Sequence, residues 1–263
     1  MTPAFPDLAT LPPVDPSLVD FAAEVVREAG ELTLRWFGAP DLAVEGKDDG
    51  TPVTAADRAA ERLVRERIGA RFPDDGVLGE EEPESYGTSG RRWVVDPIDG
   101  TKAFTRGVPL YSTLLALDDE HGPAVGVIGL PAVGQVVCAG RGRGCLVDGR
   151  PARVSDTARL ADAYLVSSGF THWPEDDLLA VRRAGCQMRT WGDGYGYAMI
   201  ATGRADVMVD HEVALYDVAP MPVILHEAGG TFTSLDGRPG ADHGSAVATN
   251  GRLHEEVLAL LRD

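Results

Sequence analysis

The chain has 263 residues, of which 44% are hydrophobic and 25% are charged, as in globular proteins with one large domain or two closely packed halves. Its 41 acidic and 24 basic residues give a formal net charge of −17. This charge argues against nucleic acid or an anionic membrane as a partner, because both require a basic surface. No apolar run approaches the roughly 18 residues that span a bilayer, and the N-terminus lacks the pattern of a signal peptide. We therefore expect a cytoplasmic protein.

The first half of the chain predicts helices packed on an antiparallel sheet. Five prolines within residues 1–16 predict an extended or frayed arm. Apolar residues at helical spacing follow from residue 17 to about residue 37. The Thr-Ala-Ala-Asp sequence at residues 54–57 has the pattern of a capping box and predicts the start of a second helix. A short strand at residues 77–78 and several β-like runs between residues 93 and 150 then predict an antiparallel meander.

From about residue 155 the pattern changes to alternating strands and helices, so that the chain as a whole has the α/β (α+β) pattern. We divide it into an arm (1–16), an α+β half (17–154) and an α/β half (155–263), which together form one compact unit. One helix is predicted over residues 218–227, directly after Asp217. Pro220 falls where a helix amide has no intrahelical partner, whereas Pro222 is expected to cost a hydrogen bond and to kink the helix.

A central turn carries two carboxylates. The apolar strand Trp-Val-Val (93–95) breaks into Asp-Pro-Ile-Asp-Gly-Thr, in which the acidic residues are Asp96 and Asp99. Gly100 lets a backbone approach a ligand closely, and Thr101 can cap a following helix. Carboxylates three residues apart on a rigid turn suit hard divalent cations, which take oxygen ligands.

Three further acidic residues strengthen this interpretation. Glu80 follows a short strand, Asp217 precedes a predicted helix, and Asp57 lies in the second helix. Two of them have an ordinary alternative: residues 80–82 could be a solvated charge run, and Asp217 could be a helix cap. Together with the central turn, they predict magnesium ions that hold a phosphate ester for in-line displacement.

With these motifs the chain resembles the inositol monophosphatase family of magnesium-dependent, lithium-sensitive phosphatases, from residue 17 to residue 263. The motifs are Val-Thr-Ala-Ala-Asp (53–57), Gly-Glu-Glu (79–81), Trp-Val-Val-Asp-Pro-Ile-Asp-Gly-Thr (93–101) and Tyr-Asp-Val-Ala (216–219). The resemblance implies a layered α/β/α/β/α sandwich, usually a homodimer, that acts on a small-molecule phosphate ester.

The resemblance also implies a set of metal ligands for two or three Mg²⁺ ions. Glu80, Asp96 and the carbonyl of Ile98 would hold the first ion. Asp96, Asp99 and Asp217 would hold the second, so that Asp96 bridges the two. Glu80 would also face a third, weaker ion.

Further roles follow from the same resemblance. Thr101 and Asp57 would orient and deprotonate the attacking water, and the backbone amides of Gly100 and Thr101 would bind phosphate oxygens. Lys47 matches a basic position near the outer metal in some relatives, but a solvated loop lysine is an equal alternative.

The run Arg-Thr-Trp-Gly-Asp-Gly-Tyr-Gly-Tyr at residues 189–197 resembles the histidinol-phosphatase branch of the family. Asp193 stands where inositol monophosphatases tend to carry a small residue, and Asp210 matches an acidic residue that contacts substrate hydroxyls. Two carboxylates favour a cationic leaving group. We therefore expect hydrolysis of histidinol phosphate to histidinol in histidine biosynthesis, with Asp193 and Asp210 binding the substrate.

Three alternatives stay open at this point. Asp193 could be the N-cap of a helix that begins near Tyr195. The enzyme could be an inositol-1-monophosphatase or a related sugar-phosphate phosphatase. The fold could also serve as a non-catalytic regulatory binding module.

Overall fold

The structure is a computed structural model that describes residues 5–39, 44–46 and 52–261. Lys47 lies outside these residues. The helices are α1 (Pro16–Thr33), α2 (Ala55–Arg71), α3 (Thr101–Thr105), α4 (Glu175–Ala184), α5 (Asp193–Ala201), α6 (Leu215–Val218), α7 (Met221–Ala228) and α8 (His254–Leu260). Within the described ranges, none of them is long and apolar enough to cross a membrane.

The strands form two large sheets and one small one. They are β1 (Val44–Gly46), β2 (Pro52–Thr54), β3 (Gly76–Gly79), β4 (Arg92–Asp99), β5 (Ser112–Asp119), β6 (Gly122–Leu130), β7 (Gln135–Gly140), β8 (Gly144–Val147), β9 (Arg150–Pro151), β10 (Tyr164–Val166), β11 (Gln187–Arg189), β12 (Val207–Asp210), β13 (Thr231–Thr233) and β14 (Ala246–Thr249). The seven-stranded sheet has the order β3-β4-β5-β6-β7-β8-β9, and each pair from β4 to β9 is antiparallel. The predicted meander is confirmed.

The five-stranded sheet has the order β11-β10-β12-β14-β13. Strand β10 is parallel to both of its neighbours, and β14 is antiparallel to both of its own. The two large sheets lie in residues 76–151 and 164–249. The chain therefore passes from one sheet to the other near residue 155, where its pattern changes, while the division into two halves stays a prediction.

Helices cover both sheets and build five layers. Helices α1 and α2 pack on one face of the seven-stranded sheet, α5 and α7 lie between the two sheets, and α4 and α8 cover the outer face of the five-stranded sheet. Successive residues of a strand point to opposite faces, so on β5 Leu114 enters the middle core and Leu115 the outer one. Burial of both faces explains why these strands read as continuous apolar runs. The α/β/α/β/α sandwich is confirmed.

The described part of the N-terminal arm, which was predicted to be extended or frayed, is docked on the protein and is not frayed. Leu8 and Val14 are buried. Arg141, itself almost fully buried, donates from Nε to the carbonyl of Pro12 at 2.9 Å, and Arg143 donates from Nε to the carbonyl of Val14 at 2.7 Å. Prolines have no N–H group with which to join a strand ladder. The two arginines between β7 and β8 instead donate to the carbonyls of this stretch.

The predicted helix over residues 218–227 is two helices, and the predicted kink at Pro222 is wrong. Helix α6 ends at Val218, and α7 begins at Met221 with Pro220 as its N-cap. Pro222 therefore lies in the first turn of α7, where an amide has no intrahelical partner and a proline costs little.

Candidate active site

The central turn is closed on itself by local hydrogen bonds. Pairing between β4 and β5 is interrupted between Asp96 and Asp99, where the strand carries a proline. The amide of Ile98 donates to Oδ1 of Asp96 at 3.1 Å, and Oγ1 of Thr101 donates to the carbonyl of Ile98 at 3.0 Å. Thr101 begins α3 but does not cap it, because the N-cap is Gly100, whose φ of 82° suits a glycine.

Asp96, Asp99 and Asp217 form a cluster of carboxylates. Each contributes an oxygen atom such that all three atoms lie within 4.8 Å of one another. Asp217 is the third residue of α6, and its Oδ2 accepts the amide of Ala214 at 2.8 Å, which fixes its direction. Glu80 adds a fourth carboxyl nearby, because its charge contributes to the raised pKa of Asp96.

The electrostatics of the cluster favour a cation. Burial raises the pKa of Asp96 and Asp99 well above the usual range, and neighbouring carboxylates add to the effect: Glu80 for Asp96, and Asp193 for Asp99. Burial also raises the pKa of Asp217 to about 7. Like charges in a desolvated site oppose one another unless protons or metal ions neutralise them, and oxygen atoms are the ligands that Mg²⁺ prefers. The donor set therefore fits divalent metal.

Asp57 has one anchored oxygen and one orphaned oxygen. Its Oδ2 accepts the amide of Thr54 at 2.8 Å and the hydroxyl of Thr54 at 2.6 Å, which completes the predicted capping box of α2. Its Oδ1 is buried and has no hydrogen-bond partner among residues 5–39, 44–46 and 52–261. Burial raises the pKa of Asp57, and the charge of Glu80 contributes to the shift. Asp57 therefore lies near Glu80, and its side-chain hydrogen bonds are to Thr54 and not to Thr101.

A pocket of about 80 Å³ adjoins the cluster. Its lining residues are Asp99, Ser168, Asp193, Tyr197, Asp210, Glu212, Val213 and Asp217. Five of these eight side chains are acidic, and Asp99 and Asp217 belong to both the pocket and the cluster. A molecule in this pocket would therefore lie beside the carboxylate cluster, within a strongly negative lining.

Asp193 is held against the central turn. It is the first residue of α5, with the left-handed φ of 53°, and its amide donates to Oγ of Ser168 at 2.8 Å. A Cβ built on Gly100 would lie 2.7 Å from Oδ2 of Asp193, so only glycine leaves room for this carboxylate. The next amide, of Gly194, donates to Oδ2 of Asp99. The N-cap of α5 is Gly192, and the alternative that Asp193 merely caps a helix near residue 195 is therefore wrong.

Burial raises the pKa of Asp193 to about 6, and the charge of Asp210 contributes. Lys102 acts in the opposite direction and lowers the pKa. A positive charge in the pocket would therefore stabilise the ionised form of the Asp193 carboxyl.

Asp210 lies at the end of β12 with both of its oxygens occupied. Its Oδ1 accepts the amide of Ser168 at 2.9 Å and the hydroxyl of Ser167 at 3.3 Å. Its Oδ2 accepts the hydroxyls of Ser168 and Tyr197, both at 3.0 Å. Asp210 thus organises two pocket side chains.

Sequence reasoning missed four pocket residues, namely Ser168, Tyr197, Glu212 and Val213. Ser168 is the second residue after β10. The ends of strands in an α/β sheet are usual ligand-binding positions, which is a signal that was available. Tyr197 is the last residue of the run at residues 189–197, so its position in that run was also an available signal. Glu212 carried no signal, because it is an exposed loop residue that pairs with Nδ1 of His172 at 2.9 Å.

Comparison with known proteins agrees with this architecture. The model of the inositol monophosphatase family matches residues 15–263. The chain is 45% identical over 249 residues to a histidinol-phosphatase of Mycobacterium tuberculosis, covering 91% of this chain and 96% of that protein. It is 42% identical over 253 residues to a histidinol-phosphatase of Streptomyces coelicolor, covering 91% and 95%. An IMPase structure from Thermotoga maritima superimposes with a TM-score of 0.86 at 28% identity, covering 93% of this chain and 96% of that one.

The family match spans nearly the whole chain, and the relatives are similar over almost their full lengths. The carboxylate cluster fits the metal dependence of that family. The chain belongs to the inositol monophosphatase family and is a phosphatase that acts on a phosphate ester.

Proposed function

We propose that this phosphatase is magnesium-dependent and hydrolyses histidinol phosphate to histidinol and phosphate, as a step of histidine biosynthesis. The observation that carries the proposal is the acidic pocket that shares Asp99 and Asp217 with the carboxylate cluster. A phosphate held at the cluster would place its leaving group in this pocket. The lining favours a leaving group with an ammonium and an imidazole over a neutral polyol. The names of the two relatives above support the same substrate.

The metal ligands in this proposal are Glu80, Asp96, Asp99, Asp217 and the carbonyl of Ile98. Two or three Mg²⁺ ions would neutralise these carboxylates, lower the pKa of an attacking water and offset the charge of the phosphate. Support comes from the proximity of three of the carboxylates and from their raised pKa values.

The remaining groups of the site orient the reactants. Asp57 offers its orphaned Oδ1 as a proton acceptor for the attacking water, and its raised pKa suits that role. Thr101 orients the water through its hydroxyl, which at present donates to the carbonyl of Ile98. The amides of Gly100 and Thr101 precede the first hydrogen-bonded turn of α3 and donate to phosphate oxygens.

On the leaving-group side, Asp193 accepts a charge-assisted hydrogen bond from the ammonium of the substrate. Asp210 contributes as a pocket residue that already accepts from Ser168 and Tyr197, so its charge adds to the negative potential of the wall. Glu212 supplies a further carboxylate at the exposed side of the pocket.

The test is a comparison of kcat/KM for histidinol phosphate and for inositol 1-phosphate at the same Mg²⁺ concentration. A clear preference for histidinol phosphate that disappears with EDTA is the expected result. A preference for the inositol ester would instead favour the inositol-1-monophosphatase alternative. No turnover of any phosphomonoester would contradict the proposal altogether.

We also propose that the protein is a cytoplasmic homodimer, on the basis of the family resemblance. Sedimentation equilibrium of the purified chain tests the assembly, with twice the chain mass of 27.9 kDa as the expected result. A monomer at micromolar concentration would contradict it.

A further inference from the structure

Helix α2 carries a second buried carboxylate, Glu61, one turn after Asp57. Its side chain is fully buried, with an exposure of 0%. Glu61 is not among the residues that line the pocket. A buried charge is costly unless hydrogen bonds and an opposite charge compensate it, so its contacts indicate what it does.

Both oxygens of Glu61 bind the backbone of the loop that carries Glu80. Oε2 accepts the amide of Glu81 at 2.7 Å, and Oε1 accepts the amide of Glu82 at 3.1 Å. Two successive backbone amides thus converge on one carboxylate, an arrangement that fixes the loop conformation around the anion.

Arg65, one turn further along α2, completes this contact. Its Nε donates to Oε1 of Glu61 at 2.8 Å, and its Nη2 donates to the carbonyl of Glu82 at 2.9 Å. The pair therefore holds both a donor and an acceptor of the same loop residue. Both side chains belong to a helix whose start is already fixed by the capping box of Thr54 and Asp57.

Gly79 makes this close approach sterically feasible. A Cβ built at this position would lie 2.0 Å from Oε1 of Glu61, which no side chain could tolerate. Gly79, the last residue of β3, thus contacts the carboxylate of Glu61 directly. The residues on both sides of Glu80 therefore contact the same carboxylate.

We propose that Glu61, together with Arg65, is a positioning residue that fixes the backbone of residues 79–82 and so directs the carboxyl of Glu80 toward Asp96. The charge of Glu80 raises the pKa of Asp96, which indicates that the two carboxyl groups lie close together in this arrangement. Glu61 does not itself bind metal, because its oxygens face the loop amides and Arg65. The inference rests on the metal role of Glu80 in the proposed function.

The test is calorimetric titration of the metal-free full chain with Mn²⁺, which reports binding without turnover. Glu61→Gln keeps the size of the side chain but turns an amide NH₂ toward a loop N–H. Loss of such a supporting group typically weakens metal binding by about 10- to 100-fold, and we expect a weakening in this range. Glu66→Gln, the same substitution at an exposed position of the same helix, is the matched control and leaves the affinity unchanged.

A double-mutant cycle separates positioning from general damage. If Glu61 acts through Glu80, the variant with both Glu61→Gln and Glu80→Gln binds Mn²⁺ no more weakly than Glu80→Gln alone. Effects that add would contradict the proposal, because they would show that Glu61 acts independently of Glu80. Amide hydrogen exchange in residues 79–82 should quicken in Glu61→Gln and not in Glu66→Gln.

The single variants distinguish a failure of the inference from a failure of the proposed function. Wild-type affinity in folded Glu61→Gln, alongside weakened binding in Glu80→Gln, would overturn only the positioning role. Wild-type affinity in Glu80→Gln would overturn the metal role of Glu80 and the inference with it. If Glu61→Gln does not fold, Arg65→Lys replaces it, since lysine keeps the charge but cannot bond Glu61 and the carbonyl of Glu82 through a planar fork. The same reduction in Mn²⁺ affinity is expected, and unchanged affinity would overturn the inference.

Discussion

Asp210 lines the pocket and Asp96 belongs to the adjoining cluster. Both are buried, with exposures of 5% and 1%, yet the protein surrounds their carboxylates differently. Both oxygens of Asp210 accept hydrogen bonds, from an amide and three hydroxyls. Asp96 is anchored through one oxygen by the amide of Ile98, and its other contacts include the carboxyl of Glu80. Donors surround the first group, and further acids surround the second.

Asp217 and Asp57 follow the pattern of Asp96. Each is anchored through Oδ2, by Ala214 and by Thr54 respectively. This arrangement fixes each carboxylate through one oxygen, and Oδ1 of Asp57 is left without a hydrogen-bond partner among the described residues. A carboxylate that donors already satisfy stabilises the fold, whereas one that faces like charges destabilises the metal-free fold and acquires a partner when a cation binds.

The sharpest test of this contrast is Asp96→Asn. Loss of the proposed bridging ligand removes several kcal/mol of charge stabilisation in the transition state, which corresponds to a reduction of about 1,000-fold or more in kcat. Removal of one charge from the cluster should at the same time raise the melting temperature of the protein in EDTA. Steady-state kinetics and thermal unfolding measure the two effects. A variant that is both less active and less stable without metal would contradict the contrast.

The second prediction concerns Asp193→Asn. Asparagine tolerates the left-handed backbone at this position, so the change removes the charge and keeps the conformation. A charge-assisted hydrogen bond contributes about 1.5–3 kcal/mol, so kcat/KM for histidinol phosphate should fall by about 10- to 100-fold. The control is turnover of inositol 1-phosphate, which should change far less. Equal losses for both esters would show that Asp193 acts on the phosphate side instead.

Asp210→Asn should mainly affect stability. The amide NH₂ would face at least one donor that now binds a carboxylate oxygen, and an unsatisfied buried group costs about 1–3 kcal/mol. Urea unfolding of the EDTA-treated protein measures this loss. An increase in stability, as expected for Asp96→Asn, would remove the distinction between the two sites.

The smallest predicted effect is the pH dependence of stability without metal. The pKa values of about 7 for Asp217 and about 6 for Asp193 exceed the value of 3.8 for an unperturbed carboxyl. The folded protein therefore binds more protons than the unfolded chain between these values, so stability falls as the pH rises through about 6 and 7. We expect the melting temperature in EDTA to decrease by a few degrees from about pH 5 to about pH 8. Saturating Mg²⁺ should remove most of this decrease, whereas a flat or rising profile in EDTA would contradict it.

Local sequence signals were sufficient for the central turn, the capping box at residues 54–57 and the meander. In each, the residue types themselves determine the backbone: Pro97 interrupts a ladder, Gly100 adopts a left-handed φ, and continuous apolar runs form strands that are buried on both faces. The absence of a kink at Pro222 could not be predicted from local signals, because it depends on α6 ending at Val218 and α7 beginning at Met221.

The hydrogen-bond partners of the carboxylates could not be predicted from the sequence either. Asp210 was predicted from its spacing to Asp217, but its four donors come from the loop after β10 and from α5 and meet only in the folded chain. Glu61 reads as an ordinary charge on a polar helix, and only the loop folded around it reveals its contacts. Which acids bind cations and which bind the protein is therefore a property of tertiary structure.

The most direct test of this distinction is anomalous diffraction from crystals of the protein grown with Mn²⁺. We predict a peak among Asp96, Asp99 and Asp217, with metal–oxygen distances of about 2.1 Å, and no peak at Asp210. Absence of a peak at the three clustered carboxylates, or a metal bound at Asp210, would contradict the account.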